Sequence, residues 1–597
     1  MDALHYLGLL VSILLIVYQH IRRNKIQPKN LPPSPPSLPI IGHFHLLKMP
    51  MSQTLTNLCN KYGPILLLQV GSRPTLVVSS RSAIEECLTK NDIIFANRPL
   101  LPSRGQEKEK IFTNIGAPYG EHWRNLRRVY ALEIFSPRRL LLSANIRTEE
   151  IRFMAKHLFQ SSFKDVQKVD VKSLLYKLDF NIVIRMVAGK RCFEEDEMNT
   201  DIAKDKLDEL NQTFTPLMPT ALGDYFPLLR WFTFYGAEQK IRKLRRKRDD
   251  FAQALLDEQR KADRKIVPTL IDSLLKLQES EPEFYNDNVI KGIVQALLIA
   301  GPHTTVTTME LVVSRMITHS EVFKTARDEI DKHVGLSRLI EDADLVNLPY
   351  LHCTINETLR LDQVVRVLPP HESSEECTVG GYHVPGGTQL LINVWSVHMD
   401  PELWEDPDKF KPERFLMCEE EQVGCKFLPF GSGRRQCPGA GLAMRLMALS
   451  LGTLIHCFDW EKAEERPFKI IFRPREELTK AISICPLSQS TAFIGHLHLL
   501  AKPVHRILDQ IPEKYGDILF LRLGNRKKLR STTIEWAMPL LFNHPQAMRI
   551  VVAETEANVG FDRLLDESDL DKLSCLGDVI NEKLRLYPLT PVLVPHE

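Results

Sequence analysis

The sequence predicts a mainly α fold with a minor β part, and three observations carry that reading. A helical pattern runs almost without break from about 140 to 360. Two short β-type runs, Ile65–Val70 and Thr75–Val78, stand within a mixed stretch from 41 to about 130. A long apolar helix is predicted from Pro438 to Phe458, after a region from 375 to 440 dominated by turns and loops.

At 597 residues the chain exceeds one average domain, although single-core enzymes reach several hundred residues. Its 44% hydrophobic and 25% charged content is ordinary for a globular protein. A formal net charge of +2 gives no bulk reason for nucleic acid as a partner. The basic run from Arg242 to Arg248 carries no interleaved aromatics, so it reads as a solvated helix face. The 11 cysteines are scattered without a C-x-x-C pair, which fits a reducing compartment better than a disulfide framework.

The N-terminus departs from this average. Leu7 to Tyr18 is apolar apart from Gly8 and Ser12, and the run stretches from Ala3 to Ile21. That approaches the ~20 residues a helix needs to cross a bilayer. A cleaved signal peptide would place basic residues before the run; here Arg22, Arg23, Lys25 and Lys29 follow it. Residues 1–21 are therefore read as a single-pass membrane anchor with the body in the cytosol. Residues 22–40 form a basic, proline-rich hinge, in which Leu31 to Pro39 reads as a stiff extended spacer.

An internal repeat then divides the chain. Ile41-Gly42-His43-Phe44-His45-Leu46-Leu47 recurs as Ile494-Gly495-His496-Leu497-His498-Leu499-Leu500, and Lys61-Tyr62-Gly63 recurs at the same offset as Lys514-Tyr515-Gly516. Beyond Arg526 the register jumps: Thr307-Thr308-Met309-Glu310 matches Thr532-Thr533-Ile534-Glu535, and Ile355-Asn356-Glu357 matches Ile580-Asn581-Glu582. Residues 41–486 thus read as the main domain and 487–597 as a truncated second copy. The paired His-x-His suggests metal, but no third ligand stands at zinc spacing.

The strongest chemical signal is Phe430-Gly431-Ser432-Gly433-Arg434-Arg435-Gln436-Cys437-Pro438-Gly439. It presents one cysteine at the start of a helix. Gly433 and Gly439 permit tight turns and the close approach of a flat ligand, and Pro438 suits the first helical position. The helix N-terminus favours negative charge, so Cys437 is expected to lose its proton readily and serve as an anionic ligand. Phe430 can shield the sulfur. A dinucleotide fingerprint does not fit, because Gln436 takes the third glycine position. A nucleophilic cysteine would need a base partner, and a buried structural cysteine would not require the flanking glycines and arginines.

This segment resembles the haem-binding loop of the cytochromes P-450, and the resemblance covers about residues 1 to 485 with patches of 494 to 597. It implies the cytochrome P-450 fold and haem b, with Cys437 as the iron ligand whose thiolate promotes O–O cleavage. Glu357-Thr358-Leu359-Arg360 resembles the family's helix motif, whose Glu and Arg pair with the arginine of Pro412-Glu413-Arg414-Phe415. Glu149-Glu150-Ile151-Arg152 matches the same pattern by chance and reads as a solvated pair. Arg98, Trp123, Arg127, His371 and Arg435 match positions that hold the haem propionates in relatives, two carboxylates that need charge-assisted donors. Trp123 and Arg127 lie one helical turn apart and share a face.

Ala300-Gly301-Pro302-His303-Thr304-Thr305 resembles the oxygen-activation segment, with Thr304 where the family has its proton-organising threonine. An acid usually precedes that threonine; this chain has His303. Pro302 should sharpen a kink. Leu361-Asp362-Gln363 stands where relatives usually have an aromatic and a proline. The proline hinge, Gly380-Gly381-Tyr382 and Phe427-Leu428-Pro429-Phe430-Gly431 look most like plant microsomal enzymes that hydroxylate isoflavones and related phenolics. The resemblance therefore implies a monooxygenase of the endoplasmic reticulum membrane. It would take a small apolar phenolic substrate and electrons from NADPH through NADPH–cytochrome P-450 reductase. Two rivals stay open: a haem-thiolate isomerase or dehydratase, and an impaired product of a tandem-gene fusion.

Deleting residues 1–21 is expected to move the protein from membrane pellets to the soluble fraction while haem binding survives. Loss of haem on deletion, or secretion of a processed form, would contradict the anchor reading.

Overall fold

The most apolar helices of the chain form its centre. The protein is described by a computed structural model covering residues 30–99, 115–164, 168–194, 201–215, 222–226, 230–261, 268–416, 424–464 and 468–479, with the single positions 8, 482 and 553. The chain divides into two units, and every element below belongs to the first, which runs to Leu487 without 264–267. The anchor reading of 1–21 and the repeat reading of 487–597 lie outside the described residues, Gly8 and Ala553 apart.

Helix Asp287–Thr318 begins at Asn286, whose side chain accepts from the Asn288 and Val289 amides, and Asp287 in its first turn complements the helix dipole. Its apolar residues face every direction, so the helix has no solvent face and must be covered all round. Helix Val171–Ala188, capped by Asp170 and ended by Gly189 at φ 71°, packs along it, and helices Pro349–Leu361 and Ala440–Cys457 cover other sides. Asp287–Thr318 and Ala440–Cys457 are apolar and long enough to cross a membrane, but 61% and 67% of their apolar windows are buried. They are core helices.

The minor β part is three small sheets. β1 (Ile65–Val70) and β2 (Arg73–Val78) match the expected β-type runs. β3 (Val169–Asp170), β4 (His371–Glu372), β5 (Cys377–Val379), β6 (Tyr382–Val384), β7 (Gln389–Ile392), β8 (Phe458–Glu464) and β9 (Lys469–Pro474) complete them. The largest has the order β1-β2-β7-β4, with Thr75 opposite Gln389 in parallel and His371 opposite Leu390 in antiparallel. This pairing joins segments far apart in sequence. It sets Asn97 beside Glu372 in an isolated bridge, and so brings the Arg98 and His371 segments together.

Three expectations change. The proline stretch is no free spacer: Pro33 O accepts from Leu67 N (3.0 Å) and Pro35 O from His43 Nε2 (2.7 Å). Prolines lack the N–H but keep the carbonyl, and here those carbonyls fasten the hinge to the sheet. His43 also accepts from Gln69 N (2.8 Å), so it is a satisfied structural histidine, and no metal-binding cluster occurs among the described residues. The last apolar helix begins at Ala440, with Gly439 as its N-cap, so Pro438 precedes it rather than opening it. The basic run lies on helix Arg230–Lys261 and is mostly exposed, as expected, except that Arg248 is buried and donates to the Thr213 and Thr215 carbonyls.

Glu357 and Arg360 are fully buried, unlike Glu149, which is 53% exposed and pairs with Arg185. Arg360 meets both Glu357 oxygens at 2.8 Å, and Arg414 Nε and Lys411 N reach Oε1 at 3.0 Å. Removing one partner of such a buried pair leaves an uncompensated charge and costs about 3–5 kcal/mol. Glu357→Ala is expected to lose that much, read as collapse of folded yield or of the denaturant midpoint. An unchanged midpoint would contradict the role given to this cluster.

Candidate active site

The loop before helix Ala440–Cys457 is folded by its own backbone. Cys437 N donates to Phe430 O (2.9 Å) and Gln436 N to Gly433 O (3.0 Å). Gly431 and Gly433 adopt φ 70° and 69°, where side chains are strained, and a Cβ on Gly433 would lie 2.5 Å from Asp92 Oδ1. Asp92 also accepts from the Arg434 backbone (3.1 Å) and guanidinium (2.5 Å), so it clamps the loop. Gly439 needs no special backbone, and a Cβ there would make ordinary contacts with Phe135 and the Cys437 sulfur.

Cys437 is exposed, yet enough protein surrounds its sulfur for burial to push the thiol up. Backbone N–H groups of Gly439 and Ala440 and the Arg127 guanidinium pull it back down. The expected helix-terminus donors are therefore present, and the desolvation that opposes them is the larger effect. A metal cation would reverse this balance, since it favours the thiolate outright.

Beside the loop stand five expected residues. Arg435 donates to Ala96 O (2.6 Å) and Ala117 O (2.7 Å), and its guanidinium lies 4.7 Å from the Trp123 ring centroid. Arg98 donates to the Pro369 (2.5 Å) and Pro370 (2.9 Å) carbonyls, and His371 Nδ1 to Phe95 O (2.8 Å). Arg127, one turn from Trp123, donates to Gln436 O (2.8 Å). Burial lowers Arg435 to about 10, which leaves it charged at neutral pH. His371 is held in its neutral form. Burial first, then Arg98, pushes it down to about 3, and its one ring proton is given to Phe95. It can donate to a carboxylate only if a proton arrives as well.

The Trp123 indole N–H is buried and has no hydrogen-bond partner among the described residues. An unpaired buried donor costs about 1–3 kcal/mol, so an acceptor is expected there. The carboxylates of a flat macrocycle fit this set: one orphaned N–H, two guanidiniums and a cysteine with amides aimed at its sulfur. The residues present suit haem.

On the central helix Pro302 is buried and the helix runs through it unbroken. The Thr304 hydroxyl donates to the Ala300 carbonyl (2.8 Å). His303 Nδ1 meets the Tyr176 hydroxyl at 2.5 Å, a partner on helix Val171–Ala188 that sequence pattern did not single out. Asp92 was missed likewise. Asp362 binds Arg315 through both oxygens (2.5 and 2.8 Å), which ties the end of the Glu357 helix to the central helix. Nothing in the structure explains the buried Gln363 amide, unpaired at both atoms.

The family model described as cytochrome P-450 matches residues 32–483 and, again, 530–597. Cytochrome P-450 81Q32 of Catharanthus roseus is 45% identical over 79% of this chain and 97% of its own length. The (+)-piperitol/(+)-sesamin synthase of Sesamum radiatum is 46% identical over 72% of the chain and 85% of its length. The isoflavone 2'-hydroxylase of Glycyrrhiza echinata is 41% identical over 78% and 93%.

Cys437→Ser is expected to abolish the red-shifted carbon monoxide band of a thiolate-ligated haem, and Trp123→Phe to raise the rate of haem loss to apomyoglobin about fivefold, the equivalent of one lost hydrogen bond of ~1 kcal/mol. An unchanged spectrum in the first variant, or unchanged retention in the second, would contradict the site.

Proposed function

This chain belongs to the cytochrome P-450 family and is a haem-dependent monooxygenase, and from that premise we propose that it hydroxylates an aromatic carbon of a small phenolic metabolite such as an isoflavone. The observation that carries the chemistry is the orphaned Trp123 N–H set among Arg98, Arg435 and the Cys437 loop. Support for the substrate class comes from relatives named isoflavone 2'- and 3'-hydroxylases.

Bound haem supplies the oxygen chemistry: O2, two electrons and two protons give a hydroxylated product and water. The chain's own residues hold and insulate that centre. Cys437 is the iron ligand; the Gly439 and Ala440 amides and Arg127 stabilise its anionic form against desolvation. Arg98, Arg435 and Trp123 would hold the propionates, while the Phe430 carbonyl accepts from the Cys437 amide. Thr304 and His303 would hold protons for the oxygen chemistry. Electrons come from NADPH through a membrane-bound reductase, with the protein anchored by residues 1–21 in the endoplasmic reticulum membrane and its body in the cytosol. Residues 487–597 are a partial repeat that lacks counterparts of Trp123 and Thr304.

A second reading, an impaired enzyme, is favoured by the Pro302-His303 pair in place of the family's usual acid. The test reconstitutes the full chain with NADPH–cytochrome P-450 reductase, NADPH and an isoflavone under labelled O2. The expected result is a ring-hydroxylated product carrying one labelled oxygen, with much of the NADPH diverted to hydrogen peroxide. His303→Asp with Pro302→Thr should raise product per NADPH. Conversion without oxygen would point to an isomerase or dehydratase. Tight coupling of the starting protein would overturn the impairment.

A further inference from the structure

Tyr176, which meets His303 through a hydrogen bond, has been given no role so far. The bond crosses the seam between helices Val171–Ala188 and Asp287–Thr318, the most extensive helix contact of the fold. Tyr176 is 5% exposed, and its ring stacks on Phe180 with centroids 6.1 Å apart and planes at 25°, so the hydroxyl has little freedom to turn away. The His303 ring lies 6.3 Å from the Tyr176 ring, and the Thr307 hydroxyl donates to the His303 carbonyl (2.7 Å), which secures the backbone under it.

The direction of the bond sets the tautomer of the His303 ring. A hydroxyl donates or accepts, and a neutral imidazole has one donor and one acceptor nitrogen. Burial first, then Asp179 and Glu310, keeps the phenol protonated by pushing it up to about 12. Burial and Lys172 lower His303 and favour its neutral ring. Between two neutral groups the phenol either donates to a bare Nδ1, which leaves the ring proton on Nε2, or accepts from a protonated Nδ1.

We propose that Tyr176 is a positioning residue for oxygen activation: by donating to Nδ1 it holds His303 as the Nε2–H tautomer, so that the residue before Thr304 presents a proton donor where most relatives present a carboxylate acceptor. This rests on the monooxygenase reading given above. It makes the tautomer of His303 depend on a residue from a different helix. Without Tyr176 either ring nitrogen can carry the proton, and the ring can rotate.

The test has two arms. In the first, the full chain carries 15N-labelled histidine and is studied by NMR as its reduced, carbon monoxide-bound form, with His303→Asn used for assignment. Nitrogen shifts of an Nε2–H ring with an accepting Nδ1 are expected, and Tyr176→Phe should turn them into those of a tautomer mixture. This arm needs no substrate, so its failure is distinct from failure of the monooxygenase reading. In the second, Tyr176→Phe should lower product per NADPH about threefold or more and enlarge the solvent isotope effect, with the substrate dissociation constant unchanged. Should that variant not fold, 3,5-difluorotyrosine at position 176 keeps the shape, strengthens the donor and should shift the Nδ1 resonance. An Nδ1–H ring in the unmodified protein would overturn the proposal, as would unchanged tautomer and coupling in Tyr176→Phe, or an unmoved resonance with the fluorinated residue.

Discussion

The carboxylate of Glu357, buried and shared by Arg360 and Arg414, is the contact on which the rest of the site depends. A fully buried charge is tolerated only when its partners satisfy it. Here the partners come from separate segments, so satisfying the charge also joins them. Arg360 spends its remaining donors on the His398 (2.7 Å) and Pro407 (2.8 Å) carbonyls. His398 Nε2 then accepts from Leu428 N (2.9 Å), and the Leu428 carbonyl accepts from Gly431 N (3.1 Å). The next bond in this series closes Phe430 onto Cys437. An unbroken chain of hydrogen bonds thus runs from a buried ion pair to the cysteine loop. Trp404, beneath both guanidiniums, adds cation–π contact at 5.2 and 5.9 Å. The cluster touches no reacting atom; it places the loop that does.

A second framework acts from the other side of the loop. The β1-β2-β7-β4 sheet returns the chain to itself across nearly three hundred residues, so that Asn97 pairs with Glu372. Arg98, His371, Trp123 and Arg435 owe their convergence to this pairing rather than to any local pattern. Asp92 links the two frameworks, since it receives Arg434 from the cysteine loop while standing a few residues from the Arg98 segment.

Several parts of this were legible in the sequence for local reasons. Trp123 and Arg127 are one turn apart, and both reach the site. The glycines around Cys437 pointed to a tight loop, and Gly431 and Gly433 do hold positive φ. Glu357 was distinguishable from Glu149 only by its place between an apolar helix and the cysteine loop, and burial separates them as expected. The rest needed tertiary contacts. No period or spacing links Tyr176 to His303, which meet only where two helices pack. The proline hinge read as a spacer because proline lacks a donor, whereas its carbonyls accept from the sheet. The helix-terminus amides beside Cys437 are likewise visible in the sequence, whereas the desolvation opposing them is not.

The central claim is that one loop and one cradle form a single haem-thiolate centre. Haem content per full-length chain, with electron paramagnetic resonance of the ferric protein, tests it most directly. One haem per chain with a low-spin thiolate signature is the predicted result. Two haems per chain, or ligation by nitrogen or oxygen without sulfur, would contradict it.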